Sequence, residues 1–139
     1  MQILKEKSRA KSQITFDEDF NVPDAKPDAG RLIQNKGRII MDDVRLTDGK
    51  GILTGNLQVD ILYVGEERGI VSSLTAKLPF EETLNLKNII NGDKMCLKWE
   101  IEDLTIRLIH SRKLNIKALV TFCATVDETE QIRLPVALD

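Results

Sequence analysis

The side chains able to do chemistry fall into a few clusters. The acidic run Asp17-Glu18-Asp19, with Asp24 and Asp28 further on, supplies carboxylates that can hold a hard cation. It lacks the alternating ligands and the glycine of a calcium loop, so solvated carboxylates are the favoured reading. Glu100, Glu102 and Asp103 also crowd together, and paired carboxylates can do acid–base work. Glu100 and Glu102 share the polar face of one strand pattern and are expected in solvent, and Glu81-Glu82 is equally uninformative. His110, Ser111 and Cys123 offer a base and two nucleophiles, but a nucleophile needs a base and an orienting group gathered in space. His110 and Ser111 are chain neighbours on a connection, and no Gly-x-Ser-x-Gly elbow is present. Zinc would have to recruit carboxylates beside Cys96, Cys123 and the single histidine. Two free thiols are the favoured reading of the cysteines, with a disulfide left open. No catalytic, cofactor-binding or metal residue is assigned, and the chain is not expected to be an enzyme.

A basic stretch comprises Arg107, Arg112, Lys113 and Lys117, with no acid between Leu104 and Val126. Nucleic-acid readers on β scaffolds add exposed aromatics for stacking, whereas Phe122 falls on the apolar phase here. A solvated face or a protein-contact patch fits better. Trp99 and Tyr63 can stack on sugar rings, but both fall on apolar phases and are expected in the core. The net charge of -2 provides no global field towards nucleic acid or an anionic membrane. No apolar run approaches bilayer length, and the N-terminus has no secretory core.

The elements that must position these groups are strands. A chain of 139 residues suits one domain with a core large enough to need no staple. Residues 1–11 read as a polar basic arm, 12–126 as a β domain, and 127–139 as an acidic linker with the possible start of a following module. Residues 12–16 are expected as a short edge strand. Two Pro-Asp pairs follow, Pro23-Asp24 and Pro27-Asp28. Proline fixes φ, lacks an amide donor and extends the residue before it, so the pairs form a stiff corner. Pro23, Asp24, Pro27, Asp28 and Arg31 are the structural motif of this corner. The aspartates satisfy backbone donors as Asx turns or caps, and Asp28 is expected to cap a short helical turn over 29–34.

Beyond that turn the pattern is β. Thr47-Asp48-Gly49-Lys50 and Asn91-Gly92-Asp93 are turns. Leu53, Leu57, Val59, Ile61 and Tyr63 alternate with polar residues, with Gly55 on the inward side, suggesting a bulge or close backbone approach. Leu74, Ala76, Leu78 and Phe80 alternate likewise, and Pro79 implies an edge or a bend. Residues 83–86 read as a further short strand. Met95, Leu97, Trp99 and Ile101 are odd-numbered, whereas Leu104, Ile106 and Leu108 are even-numbered; this phase flip requires a bulge or a break. Leu114 to Val126 is the longest regular alternation. About seven or eight strands are expected, in an all-β antiparallel sandwich or partly open barrel.

In this order, several stretches resemble the SPOCS domain, a β-rich module of endospore-forming bacteria. They are Phe20-Asn21-Val22-Pro23-Asp24-Ala25-Lys26-Pro27-Asp28 with Gly30-Arg31, Leu53-Thr54-Gly55-Asn56-Leu57 through Ile61-Leu62-Tyr63-Val64, Leu78-Pro79-Phe80-Glu81-Glu82, and Ser111-Arg112-Lys113-Leu114-Asn115-Ile116-Lys117-Ala118. The resemblance implies a non-catalytic role in spore coat or envelope assembly, in the mother-cell cytoplasm at the forespore surface, as in SipL-like morphogenetic proteins. It implies other coat morphogenetic proteins as partners, with self-association also expected; from the residues themselves, no nucleic acid, no membrane insertion and no cofactor are expected. Peptidoglycan contact is expected only through a LysM domain, which these residues do not contain. A carbohydrate-binding sandwich is the alternative, requiring Trp99 and Tyr63 exposed side by side. A hydrolase is the third reading, requiring a pocket that gathers His110 with a nucleophile and a carboxylate.

Overall fold

Strict alternation of apolar and polar residues forces one face of each strand into a core, and two central strands show it most fully. The computed structural model describes residues 2–47, 49–67, 69–86 and 94–131. Six strands run in chain order: β1 Gln2–Asn21, β2 Ala29–Thr47, β3 Lys50–Gly65, β4 Val71–Asn85, β5 Lys94–His110 and β6 Lys113–Gln131. They form two three-stranded antiparallel sheets, β1-β6-β5 and β2-β3-β4. Each sheet keeps two edges, so the architecture is an open sandwich and not a barrel. β1 packs over β4 and β5 over β2, which stacks central β6 over central β3.

The core is the facing surface of those central strands. Leu53, Leu57, Val59, Ile61 and Tyr63 of β3 are buried, as are Leu114, Ile116, Ala118, Val120, Phe122, Ala124 and Val126 of β6. Phe80 of β4 links the layers. Its ring lies 6.2 Å from Phe16 of β1 in an edge-on contact and 5.3 Å from Phe122 of β6. Such pairs add about 0.5–1.5 kcal/mol each beyond area burial.

Three strand interruptions in the sequence prove internal to longer strands, which is why there are six strands and not seven or eight. Residues 12–16 are the middle of β1, which pairs with β6 along its whole length. Residues 2–11, read as an arm, form the first half of that strand, and 127–131 complete β6 opposite it. β4 runs through Pro79, which an edge strand tolerates because one side needs no donors. The phase flip after Ile101 is a bulge, with Ile101 opposite Val120 and Asp103 opposite Leu119.

The helical turn expected over 29–34 is absent: these residues begin β2. Two register shifts, between Ala29 and Arg31 and between Leu32 and Gln34, break the two-residue period and leave a spacing that imitates a helix. The Thr47–Lys50 hairpin forms with Gly49 at φ +77°. Asp48, the turn at 91–93 and the tail at 132–139 lie outside the described residues. At Gly55 a Cβ would collide with the Ile40 carbonyl oxygen and approach Phe80 at 3.1 Å. The glycine therefore answers a close backbone approach, beside a register shift on β2 between Met41 and Asp43.

Candidate functional site

Two prolines without amide protons leave the corner between β1 and β2 poor in donors, and its carbonyls must find partners elsewhere. They find Arg112, in the tight connection between β5 and β6. Its Nη1 donates to the Lys26 carbonyl at 2.7 Å and to Asp28 Oδ1 at 3.0 Å. Its Nη2 donates to the Val22 and Pro23 carbonyls at 3.0 and 2.9 Å, with Asp24 Oδ1 at 3.9 Å. The backbone adds Val22 N–H to the Arg112 carbonyl and Ala29 N–H to the Ser111 carbonyl, both 2.8 Å. From the other sheet, the Tyr63 hydroxyl donates to the Pro27 carbonyl at 2.8 Å and Glu66 N–H to the Asp28 carbonyl at 2.8 Å. Within the corner, Lys26 N–H closes a turn on the Pro23 carbonyl at 2.9 Å. The crossing from one sheet to the other is thus tied to both sheets.

Asp28 accepts from a guanidinium through its side chain and from Glu66, just past the end of β3, through its carbonyl, and it caps no helix. Arg31 is exposed opposite Val64 and makes no hydrogen bond or ion pair among the described residues.

The other basic residues lie on the outer face of the first sheet. Strand register brings the acidic run of β1 against them: Asp17 opposite Lys117, Asp19 opposite Asn115, and Asn115 opposite Arg107. Asn115 Nδ2 donates to both Asp17 and Asp19 at 3.0 Å, and Lys113 Nζ lies 3.6 Å from Asp19. The Asn115 hydrogen bond holds the Asp19 carboxyl below its ordinary range, outweighing the opposing desolvation, and Lys113 adds attraction. The stretch that looks basic along the chain is therefore interleaved with acid in space. Arg107 and Lys117 remain exposed on that face.

The candidate nucleophiles stay apart. His110 is exposed at the end of β5, where its Nδ1 accepts the Arg112 N–H at 3.1 Å. Its strand partner Lys113 lies ten residues along β6 from Cys123, about 33 Å at the strand rise. Cys96 and Cys123 are free thiols, the first exposed and the second half-buried. Among the described residues no group of three or more His, Cys, Asp or Glu side chains could hold a metal ion. Glu82 accepts a hydrogen bond from Ser12 across the layers, and Glu100 and Glu102 are exposed.

The aromatics divide. Tyr63 is fully buried, as its phase predicts, whereas Trp99 is 42% exposed and does not belong to the core. Trp99 does occupy an inward position, opposite buried Phe122, but β5 is an edge strand and no described residue covers its flank. The two rings form no shared surface for a sugar.

Arg112, read in the sequence as part of the basic patch, sits in this structure at the corner between β1 and β2. Its partners lie 84 to 90 positions away. The available signal was a corner with two missing donors, which calls for a multidentate cation without saying which one.

Among the described residues, no helix is long and apolar enough to cross a membrane. Comparison with curated proteins and with solved structures gives no match. The family model described as SipL, SPOCS domain, matches residues 28–109, from the end of the corner through nearly all of β5. The match covers more than half of the 139 residues, so this chain belongs to the SipL SPOCS domain family.

Proposed function

We propose that this domain is a non-catalytic structural and protein-binding module of endospore coat or envelope assembly, working in the mother cell at the forespore surface. The observation that carries the reading is its membership of the SPOCS domain family. Physical features support it. The most elaborate polar constellation, around Arg112, is spent on holding two sheets together, and its acceptors are backbone carbonyls and aspartates. Among the described residues, four strand edges carry backbone groups without a sheet partner, the usual means by which a β module recruits another chain. Partners of this reading are other coat or envelope morphogenetic proteins, or a second copy.

The test is affinity capture with the tagged chain from cells of an endospore-forming bacterium harvested during sporulation, with captured proteins identified by mass spectrometry. Enrichment of identified coat or envelope morphogenetic proteins is expected. Recovery of none, with the folded domain confirmed on the resin, overturns the reading.

A further inference from the structure

Three of the four sheet edges carry features that discourage pairing. β4 has Pro79 at its middle, β2 has three register shifts, and β1 carries Asp17-Glu18-Asp19 along its second half. β5 is different. It too has register shifts, after Ile101 and after Leu108, but from Lys94 to Ile101 its register with β6 is unbroken and the stretch holds no proline and no run of acidic residues. Its free side therefore offers a regular row of backbone donors and acceptors. The same segment holds exposed Trp99, and Val44 of the overlying edge strand β2 is also exposed at an inward position opposite buried Leu53. Among the described residues, nothing covers the flank of the sandwich at β2 and β5, which presents these apolar side chains.

The sequence of that segment, Leu97-Lys98-Trp99-Glu100-Ile101, is complementary to itself in the antiparallel sense. About a two-fold axis through Trp99, Trp99 meets its own copy. Leu97 then meets Ile101 twice on the inward face, and Lys98 meets Glu100 twice on the outward face. Lys98 and Glu100 are both exposed, and neither makes an ion pair among the described residues. Lys98, which on an isolated edge would repel a second strand, faces a carboxylate in this register. A two-fold contact uses one patch on both copies and closes, so it yields a dimer and not a fibre.

We infer that a second copy of this chain pairs with the first through β5, joining the two β1-β6-β5 sheets into one continuous sheet across a two-fold axis at Trp99. This deepens the interaction-module reading by naming one partner and the strand that receives it.

Analytical ultracentrifugation of the 139-residue chain across a wide concentration range, with reductant present to keep Cys96 and Cys123 as thiols, tests the inference. A reversible monomer–dimer equilibrium is expected. Trp99 is the only tryptophan, so its emission should shift to the blue over the same concentration range as the ring leaves water. Lys98→Glu and Glu100→Lys should each weaken the dimer about tenfold by placing like charges opposite one another. Their mixture should restore it, because K98E against E100K pairs opposite charges at both positions. A chain that stays monomeric throughout overturns the inference, as does a dimer indifferent to both variants or variants whose mixture fails to recover. A monomeric result leaves the capture of coat proteins to decide the broader reading separately.

Discussion

Arg112 and Asp28 stand 84 positions apart in the chain and meet with Nη1 3.0 Å from Oδ1. The contact fastens the β5–β6 connection to the corner that carries the chain between sheets. The same guanidinium reaches the carbonyls of Val22, Pro23 and Lys26, so one side chain closes a gap left by two prolines.

Arg112→Ala should therefore destabilise the domain by about 2–3 kcal/mol, since several partly buried carbonyls lose their donor while water reaches the outer ones. Urea unfolding should show a lower midpoint at unchanged slope. Arg112→Lys should recover only a minor part, because an ammonium cannot span acceptors set in a planar fork. Equal stability of R112A and the parent chain would show that the corner holds itself.

Tyr63→Phe isolates one tie from the opposite sheet. Its hydroxyl donates to the Pro27 carbonyl from a buried ring, so removing the oxygen should cost about 1 kcal/mol while leaving the core filled. The loss should shrink when measured in an R112A background, where the corner is already loosened; strictly additive losses would deny that the two ties act on one element.

Gly55→Ala places a methyl against the Ile40 carbonyl oxygen and the Phe80 ring. Overpacking of this kind should cost about 1–3 kcal/mol and lower the thermal midpoint. Gly37→Ala is the comparison. Its added methyl meets flexible side-chain ends of Leu104 and Ile101, so the effect should be smaller.

Asp19 sets an acid limb. Its carboxyl titrates below its ordinary range when folded, so the native state holds the charged form more strongly than the unfolded chain does. That stabilisation is present above about pH 4, the unfolded value, and is lost as pH falls through the lower folded value. Asp19→Asn should flatten the decline of stability with acidification in this window relative to the parent chain, as read by urea midpoints at stepped pH. An unchanged slope would remove Asp19 from the acid response.

Much of the fold is legible in the residues. β3 and β6 are central strands with one face fully buried, and their alternation is unbroken because neighbours on both sides enforce it. The change of phase at Asp103 and the inward glycine at 55 were readable as a bulge and a close approach because both violate period two. Edge strands are harder. β1, β2 and β4 bury less of each residue and tolerate bulges and a proline, so irregularities inside them imitate strand ends, and at 29–34 a helix. Trp99 was misplaced for the same reason: phase gives the direction of a side chain, but only strand order says whether anything lies above it. The clamp was least legible, since the partners of Arg112 are backbone carbonyls that any sequence would supply.

The pairing of β1 with β6 also sets an order of events. The sheet β2-β3-β4 is a meander of chain neighbours and can close once residue 85 has left the ribosome. β1, at the start of this domain, must wait for β6 at its far end, with its long row of backbone groups unpaired until β6 emerges. During synthesis the nascent chain therefore carries a half-built domain with a dangling first strand, and a binding partner or chaperone present at that stage meets a surface that the finished protein no longer displays.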